Sequence, residues 1–201
     1  MNRLRSLRVG VANRDAKCAS ADIVTDILQL FRDRGNSAYG FEAVSQLQHA
    51  LQSATLALAA KAPSELVSAA LLHDIGHLLH ELPDDAPDHG IDDHHENSGF
   101  RFLERHFGPA TYEPVRLHVA AKRYLCAVKP EYHELLSEPS QTSLRLQGGP
   151  MNADEVAEFE SNPYYQQAID LRYWDDIAKD PEMKTPALEA FEVHLREAVI
   201  A

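Results

Sequence analysis

Apolar residues recur at three- and four-residue intervals along most of the chain, and no segment alternates in the manner of a strand. Ile23, Ile27, Leu28 and Phe31 mark a helix over residues 21–34, which Gly35 stops. Residues 36–41 read as a loop. A long helix follows over 42–60, with Val44, Leu47, Leu51, Ala54 and Leu58 as its main stripe. His49 lies off that stripe, on a second line with Ser45, Leu56 and Ala60, so this helix is expected to be buried from two sides. Pro63 and Ser64 open the next helix, which runs to about His80. It is strongly apolar from Leu66 to Leu72 and abruptly polar at His73 and Asp74. An acidic, proline-rich connection over 83–93 leads to a helix over 95–107, with Phe100, Leu103 and Phe107 on one face. Gly108-Pro109 closes it. Further helices are expected over 112–125, 153–160, 164–178 and 187–199. One or two short helices fall within 130–147, ahead of a turn at Gly148-Gly149-Pro150. The fold class is all-α, a single helical bundle over residues 21–201. Residues 1–20 lack periodicity and form a loosely ordered arm.

Composition adjusts this picture in a few places. The chain has 201 residues, enough for one helical domain with a full core. No stretch approaches the roughly 20 apolar residues that span a bilayer. The first residues include basic side chains but no apolar run, so no secretory signal is expected. Two cysteines, Cys18 and Cys126, do not make a disulfide framework, and a reducing cytoplasm fits. The net charge of −12 argues against nucleic acid, whose phosphates are held by clustered Lys and Arg. It leaves room for a small anion, which needs only a few local cations.

Eleven histidines are many for this length, although composition alone makes none of them a ligand. His73 stands out because Asp74 follows it at the end of a helix that reads as buried. An ionised Asp there costs several kcal/mol to bury without a partner, unless the helix end emerges into solvent. A bound cation with neutral imidazoles around it removes that penalty.

The order of these residues resembles the HD-domain superfamily: a His on one helix, a His-Asp pair on a second, and a late Asp. The matching positions are His49, His73-Asp74 and Asp175. The resemblance implies that these four hold one metal. In members with a second metal, two more histidines join, here His95 and His118, with Asp74 bridging the ions. His94 is the rival for the place given to His95, which is preferred because residues 96–107 then align best. Imidazoles and carboxylates without thiolate suit iron or manganese and leave zinc open.

Two cations stand one turn from these positions. Lys122 follows His118 by four residues, and Arg172 precedes Asp175 by three. Either they form a site for a phosphate-like anion, or Arg172 pairs with a nearby carboxylate and Lys122 is solvated. His77, one turn beyond His73, faces the same region.

Three segments are more specific. Tyr39-Gly40-Phe41-Glu42 followed by Gln46-Leu47-Gln48-His49, the run from His118 to Leu125, and Gln147-Gly148-Gly149-Pro150-Met151 with the later Trp174-Asp175 look like the oxygenases that cleave the carbon–phosphorus bond of 1-hydroxy-2-aminoethylphosphonates. That resemblance covers residues 38–194. It implies a mixed-valence pair of irons, dioxygen as co-substrate, and Tyr39 as a displaceable ligand of the second iron. It also implies that His77, Lys122, Ser140, Gln147 and Arg172 surround the phosphonate, Tyr39 and Lys122 taking part in catalysis. Glu42 would meet the cationic end of the substrate. Phe41 and Tyr39 beside Glu42 favour a trimethylammonium group, giving glycine betaine, over a primary amine, giving glycine. A two-metal phosphohydrolase of the same superfamily would share the six ligands.

Overall fold

The computed structural model describes residues 22–40, 42–79 and 94–200. The expected arm over 1–20, the connection over 83–93 and Phe41 therefore lie outside the described residues. Within them the chain forms α1 (Ile23–Arg34), α2 (Gln46–Ala59), α3 (Ser64–Leu72), α4 (Ile75–Leu79), α5 (His95–Leu103), α6 (Pro109–Val128), α7 (Pro130–Leu135), α8 (Glu138–Leu146), α9 (Ala153–Ser161), α10 (Tyr165–Ile177) and α11 (Glu192–Ala198), the last preceded by a 3-10 turn, Leu188–Phe191. The architecture is all-α. Among the described residues, strand-like pairing is confined to the isolated bridges Ala38–Ser45 and Phe107–Val199, and no helix is long and apolar enough to cross a membrane.

Local chemistry sets the helix ends. Asp22 caps α1 by accepting from the Val24 amide. Ser45 and Gln48 cap α2 reciprocally, which moves its start from the expected residue 42 to Gln46. Asn152 and Glu155 do the same for α9. Pro109, expected to end a helix, instead begins α6 as its first residue. Its fixed φ suits that position, and its missing amide would be unpaired there in any case.

α3 is the central element. It packs against α2, α6, α10 and α11, and Leu66 to Leu72 are buried throughout. One apolar cluster joins α1 to α5 with the C-terminal segment, including Phe31, Phe107 and Phe191. Each such side chain stabilises the fold by ~1.5–3 kcal/mol. A second cluster joins Leu117, Leu125, Tyr132, Leu144 and Phe159. α6 belongs to both clusters, through Val115 on one side and Leu117 on the other.

The continuous helix expected to reach residue 80 is interrupted. α3 ends at Leu72, His73 and Asp74 form a turn, and α4 resumes at Ile75. Gly76 explains how the second piece docks. A Cβ at this position would lie 2.0 Å from the His95 carbonyl oxygen, so only glycine lets α4 approach α5 this closely.

Candidate metal centre and anion pocket

The interruption between α3 and α4 delivers His73 and Asp74 into the space enclosed by α2, α5, α6 and α10. His49 comes from α2, His95 from the first residue of α5, His118 from α6 and Asp175 from α10. All six side chains are buried. Asp74 divides its two oxygens between two groups. Oδ2 lies 3.5 Å from His49 Nε2 and 3.4 Å from His73 Nε2. Oδ1 lies 3.3 Å from His95 Nε2 and 3.4 Å from His118 Nε2. Asp175 joins the first group, with Oδ1 3.4 Å from His49 Nε2 and Oδ2 4.0 Å from His73 Nε2. Two sets of donor atoms could therefore each hold a metal ion: His49, His73 and Asp74, and Asp74, His95 and His118.

The imidazole orientations fit that role. His49 Nδ1 faces the Ala178 carbonyl at 2.8 Å, His73 Nδ1 that of Ala70 at 2.9 Å, and His118 Nδ1 that of Val115 at 2.7 Å. A ring that donates from Nδ1 keeps an unprotonated Nε2, the usual arrangement behind a metal-binding histidine. The Nε2 atoms then converge, 3.0 Å apart for His49 and His73 and 3.2 Å for His95 and His118. Facing lone pairs at that distance repel each other, and a cation between them removes the conflict. Among the described residues, the buried Oδ1 atoms of Asp74 and Asp175 accept no hydrogen bond. Carboxylate oxygens buried among imidazole nitrogens and short of donors are suited to coordinating a cation.

The electrostatics agree. Burial pushes both carboxyls up, yet each is held well below the usual range. His73, His118 and His95 do this for Asp74, and Arg172, His49 and His73 for Asp175. Burial drives His73 down to about 4 against the pull of Asp74 and Asp175, so the ring is neutral, the form that can bind a metal. Burial also opposes protonation of His118, but Asp74 outweighs it and raises that ring.

His94 and His95 part company. His95 turns inward and is buried, stacked on the His77 ring at 4.1 Å. His94 occupies the left-handed position before α5, φ 48°, with its side chain 66% exposed. Tyr39 stacks on His49, ring centroids 3.8 Å apart. Burial, followed by Asp175 and Asp74, keeps its phenol protonated well above the ordinary range.

A cationic wall adjoins the metal cluster. Lys122 is buried one turn beyond His118 and donates to Ser143 Oγ at 2.7 Å. Arg172 is buried as well. Its guanidinium pairs with Asp175 at 2.8 Å, with Asp176, and through Nε with the Tyr132 hydroxyl at 3.1 Å. The carboxylate partner weighed as an alternative for Arg172 is thus present, and it is one of the proposed ligands. Ser140 is buried on the same face of α8 as Ser143. Gln147 follows α8, its Oε1 buried and without a hydrogen-bond partner among the described residues. Gly148 and Gly149 turn the chain at φ 95° and 73°, and Arg123 pins that turn by donating to the Gly149 carbonyl at 2.8 Å.

Sequence reasoning missed Lys179. Its ammonium lies 2.9 Å from Glu42 Oε1, 3.0 Å from Ser140 Oγ and 3.2 Å from Ser137 Oγ. It also sits 5.9 Å from the Tyr39 ring centroid. The spacing rule that singled out Lys122 would have found it, since Lys179 follows Asp175 by four residues.

Comparison with known proteins adds chemistry to this geometry. The HD domain model matches residues 46–152. The glycine-betaine-forming [1-hydroxy-2-(trimethylamino)ethyl]phosphonate dioxygenase of Leisingera caerulea is 47% identical over 171 residues, 85% of this chain and 87% of that protein. Hydroxymethylphosphonate dioxygenase of Gimesia maris is 45% identical over 177 residues, 88% of each chain. An uncharacterized protein of Acanthamoeba polyphaga mimivirus is 36% identical over 159 residues, 78% of this chain and 72% of that protein.

Proposed function

We propose a function from one fixed premise: the chain belongs to the HD-domain family. It is an oxidoreductase that uses dioxygen to cleave the carbon–phosphorus bond of a 1-hydroxyphosphonate. The favoured substrate is 1-hydroxy-2-(trimethylammonio)ethylphosphonate, converted to glycine betaine and phosphate. One dioxygen is consumed per substrate. The hydroxyl-bearing carbon becomes a carboxylate, the phosphonate leaves as phosphate, and one proton is released. The observation that carries this reading is the 47% identity to an enzyme named for that reaction, over 85% of the chain. The buried cations beside the metal cluster support it, because a phosphonate needs them and a carbon–carbon-cleaving oxygenase does not.

Residues 21–201 act as one catalytic domain. His49, His73, Asp74 and Asp175 hold one ion, and Asp74, His95 and His118 the other. The nitrogen and oxygen donors, with no thiolate among them, suit iron. A ferrous–ferric pair held there would supply Lewis acidity and a place for dioxygen. Tyr39 covers the second position at rest and gives way to the substrate, as its placement in the loop between α1 and α2 permits. Lys122, Arg172, His77, Ser140 and Gln147 surround the phosphonate, whose negative charge favours the ammonium form of Lys122. Glu42 and the Tyr39 ring receive the trimethylammonium group, which has no N–H and favours a carboxylate with an aromatic face. The cytoplasm suits the reaction, in keeping with the free buried thiol of Cys126.

Anaerobic iron loading, metal analysis and dioxygen uptake test this reading. Two irons per chain, and uptake matched by phosphate release, are expected. Tight zinc binding with phosphoesterase activity and no uptake would refute it.

A further inference from the structure

The place assigned to the substrate's ammonium already holds one. Glu42 and Lys179 are both largely shielded, with side chains 15% and 13% exposed, and they form an ion pair at 2.9 Å. The pair is built into the fold. His49 Nδ1 donates to the Ala178 carbonyl on one side of Lys179. On the other side, Gln52 clamps Asp180 twice, donating to its carbonyl at 2.8 Å and accepting from its amide at 3.1 Å. α2 therefore fixes the backbone on both sides of Lys179. Ser137 ties the partner down by donating to Glu42 Oε1 at 2.7 Å. The ammonium also rests on Ser140 and near the Tyr39 ring, so it stands between the proposed metal ligand and the proposed cation receptor.

We propose that Lys179 is a specificity-determining residue, an internal counter-ion that competes with the substrate's cationic group for Glu42. The proposal rests on the phosphonate-oxygenase reading above. A substrate with a trimethylammonium group must displace the Lys179 ammonium from Glu42. A substrate without a cation, such as hydroxymethylphosphonate, leaves the pair intact and meets no bare carboxylate near its own negative charge. The side chain at residue 179 thereby sets how far the site prefers 1-hydroxyphosphonates that carry a cationic group over those that carry none. Removing its charge favours the first and penalises the second.

The test is the ratio of kcat/KM for 1-hydroxy-2-(trimethylammonio)ethylphosphonate to that for hydroxymethylphosphonate, measured as dioxygen uptake by iron-loaded enzyme. Lys179→Met should raise this ratio by about tenfold or more, mainly through opposite changes in KM. Lys179→Arg keeps the charge and should hold the ratio near the parent value. The double variant Lys179→Met with Glu42→Gln should lose the gain, because the freed carboxylate is gone. A ratio that is unchanged or lowered in Lys179→Met, with either substrate still consumed, overturns the role of Lys179 and leaves the reaction standing. Parent enzyme that takes up no dioxygen with either substrate overturns the reaction and this role together.

Discussion

His49 and His73 bring their Nε2 atoms to 3.0 Å from each other while both Nδ1 atoms are engaged by backbone carbonyls. Neither ring can rotate to relieve the contact without giving up a buried hydrogen bond. The geometry of the pair is therefore matched to a cation between the two rings. Asp74 completes this group with one oxygen and the His95–His118 group with the other. Asp74→Ala should consequently abolish binding at both positions. Metal analysis of the purified variant should find less than about a tenth of the parent content, as expected for loss of a charged shared ligand.

His95 and His94 give a sharper contrast. His95→Ala should lose one of the two metals and keep the other, which His49, His73, Asp74 and Asp175 still hold. His94→Ala should keep both, because its ring points outward. Full metal content in His95→Ala would remove it from the ligand set.

Gly76 supports the second position without touching it chemically. Gly76→Ala places a methyl group against the His95 backbone at a separation no structure tolerates, so α4 and α5 must move apart. The expected outcome is a destabilisation of roughly 1–3 kcal/mol, typical of overpacking, in denaturant titration of the metal-free protein. Metal loss confined to one of the two positions should accompany it. Gly99→Ala serves as the comparison, since a Cβ there meets neighbours no closer than 3.5 Å.

Lys122 predicts a pH dependence. Burial, with Arg172 next in weight, pulls its ammonium from 10.5 down to about 7, against Asp175 and Asp176. Between about pH 7 and 10.5 the unfolded chain thus holds a proton on this lysine that the folded chain has lost. Stability of the metal-free protein should then rise with pH across that window, and below it the full penalty of a buried charge remains. Lys122→Met should remove that slope and stabilise the protein at neutral pH by roughly 1–3 kcal/mol. Its kcat/KM for the phosphonate should fall on the order of 10²-fold. Urea titrations at several pH values, beside steady-state kinetics, measure both effects. An unchanged slope would mean that Lys122 is charged at no penalty.

Only part of the candidate centre is legible from local signals, and His49, His95, His118 and Asp175 enter through the resemblance to the HD-domain pattern alone. An apolar run that turns polar at His73-Asp74 is visible without any partner, and so is a lysine one turn from a histidine. The positions that escaped depend on distant contacts. Gly76 reads as a tolerable glycine in a helix until the His95 backbone is known to lie against it. Pro109 is equally compatible with ending one helix and starting another, and only the fold decides. Lys179 sits just beyond the end of α10, and its partner Glu42 is 137 residues away. The resemblance gives Glu42 to the cationic end of a substrate, and nothing local says that the chain supplies a cation of its own there.

α6 carries His118 and Lys122 on one face, between two separate apolar clusters. The backbone span from the candidate ligand His118 to Lys122, the proposed phosphonate partner, is thus four residues of a single helix, about 6 Å along its axis. It is not a gap between packed elements that breathing could widen. The helix serves as a ruler. In the proposed reaction it would favour substrates whose chelating oxygen and phosphorus are neighbours over longer ones, by a length written into the backbone.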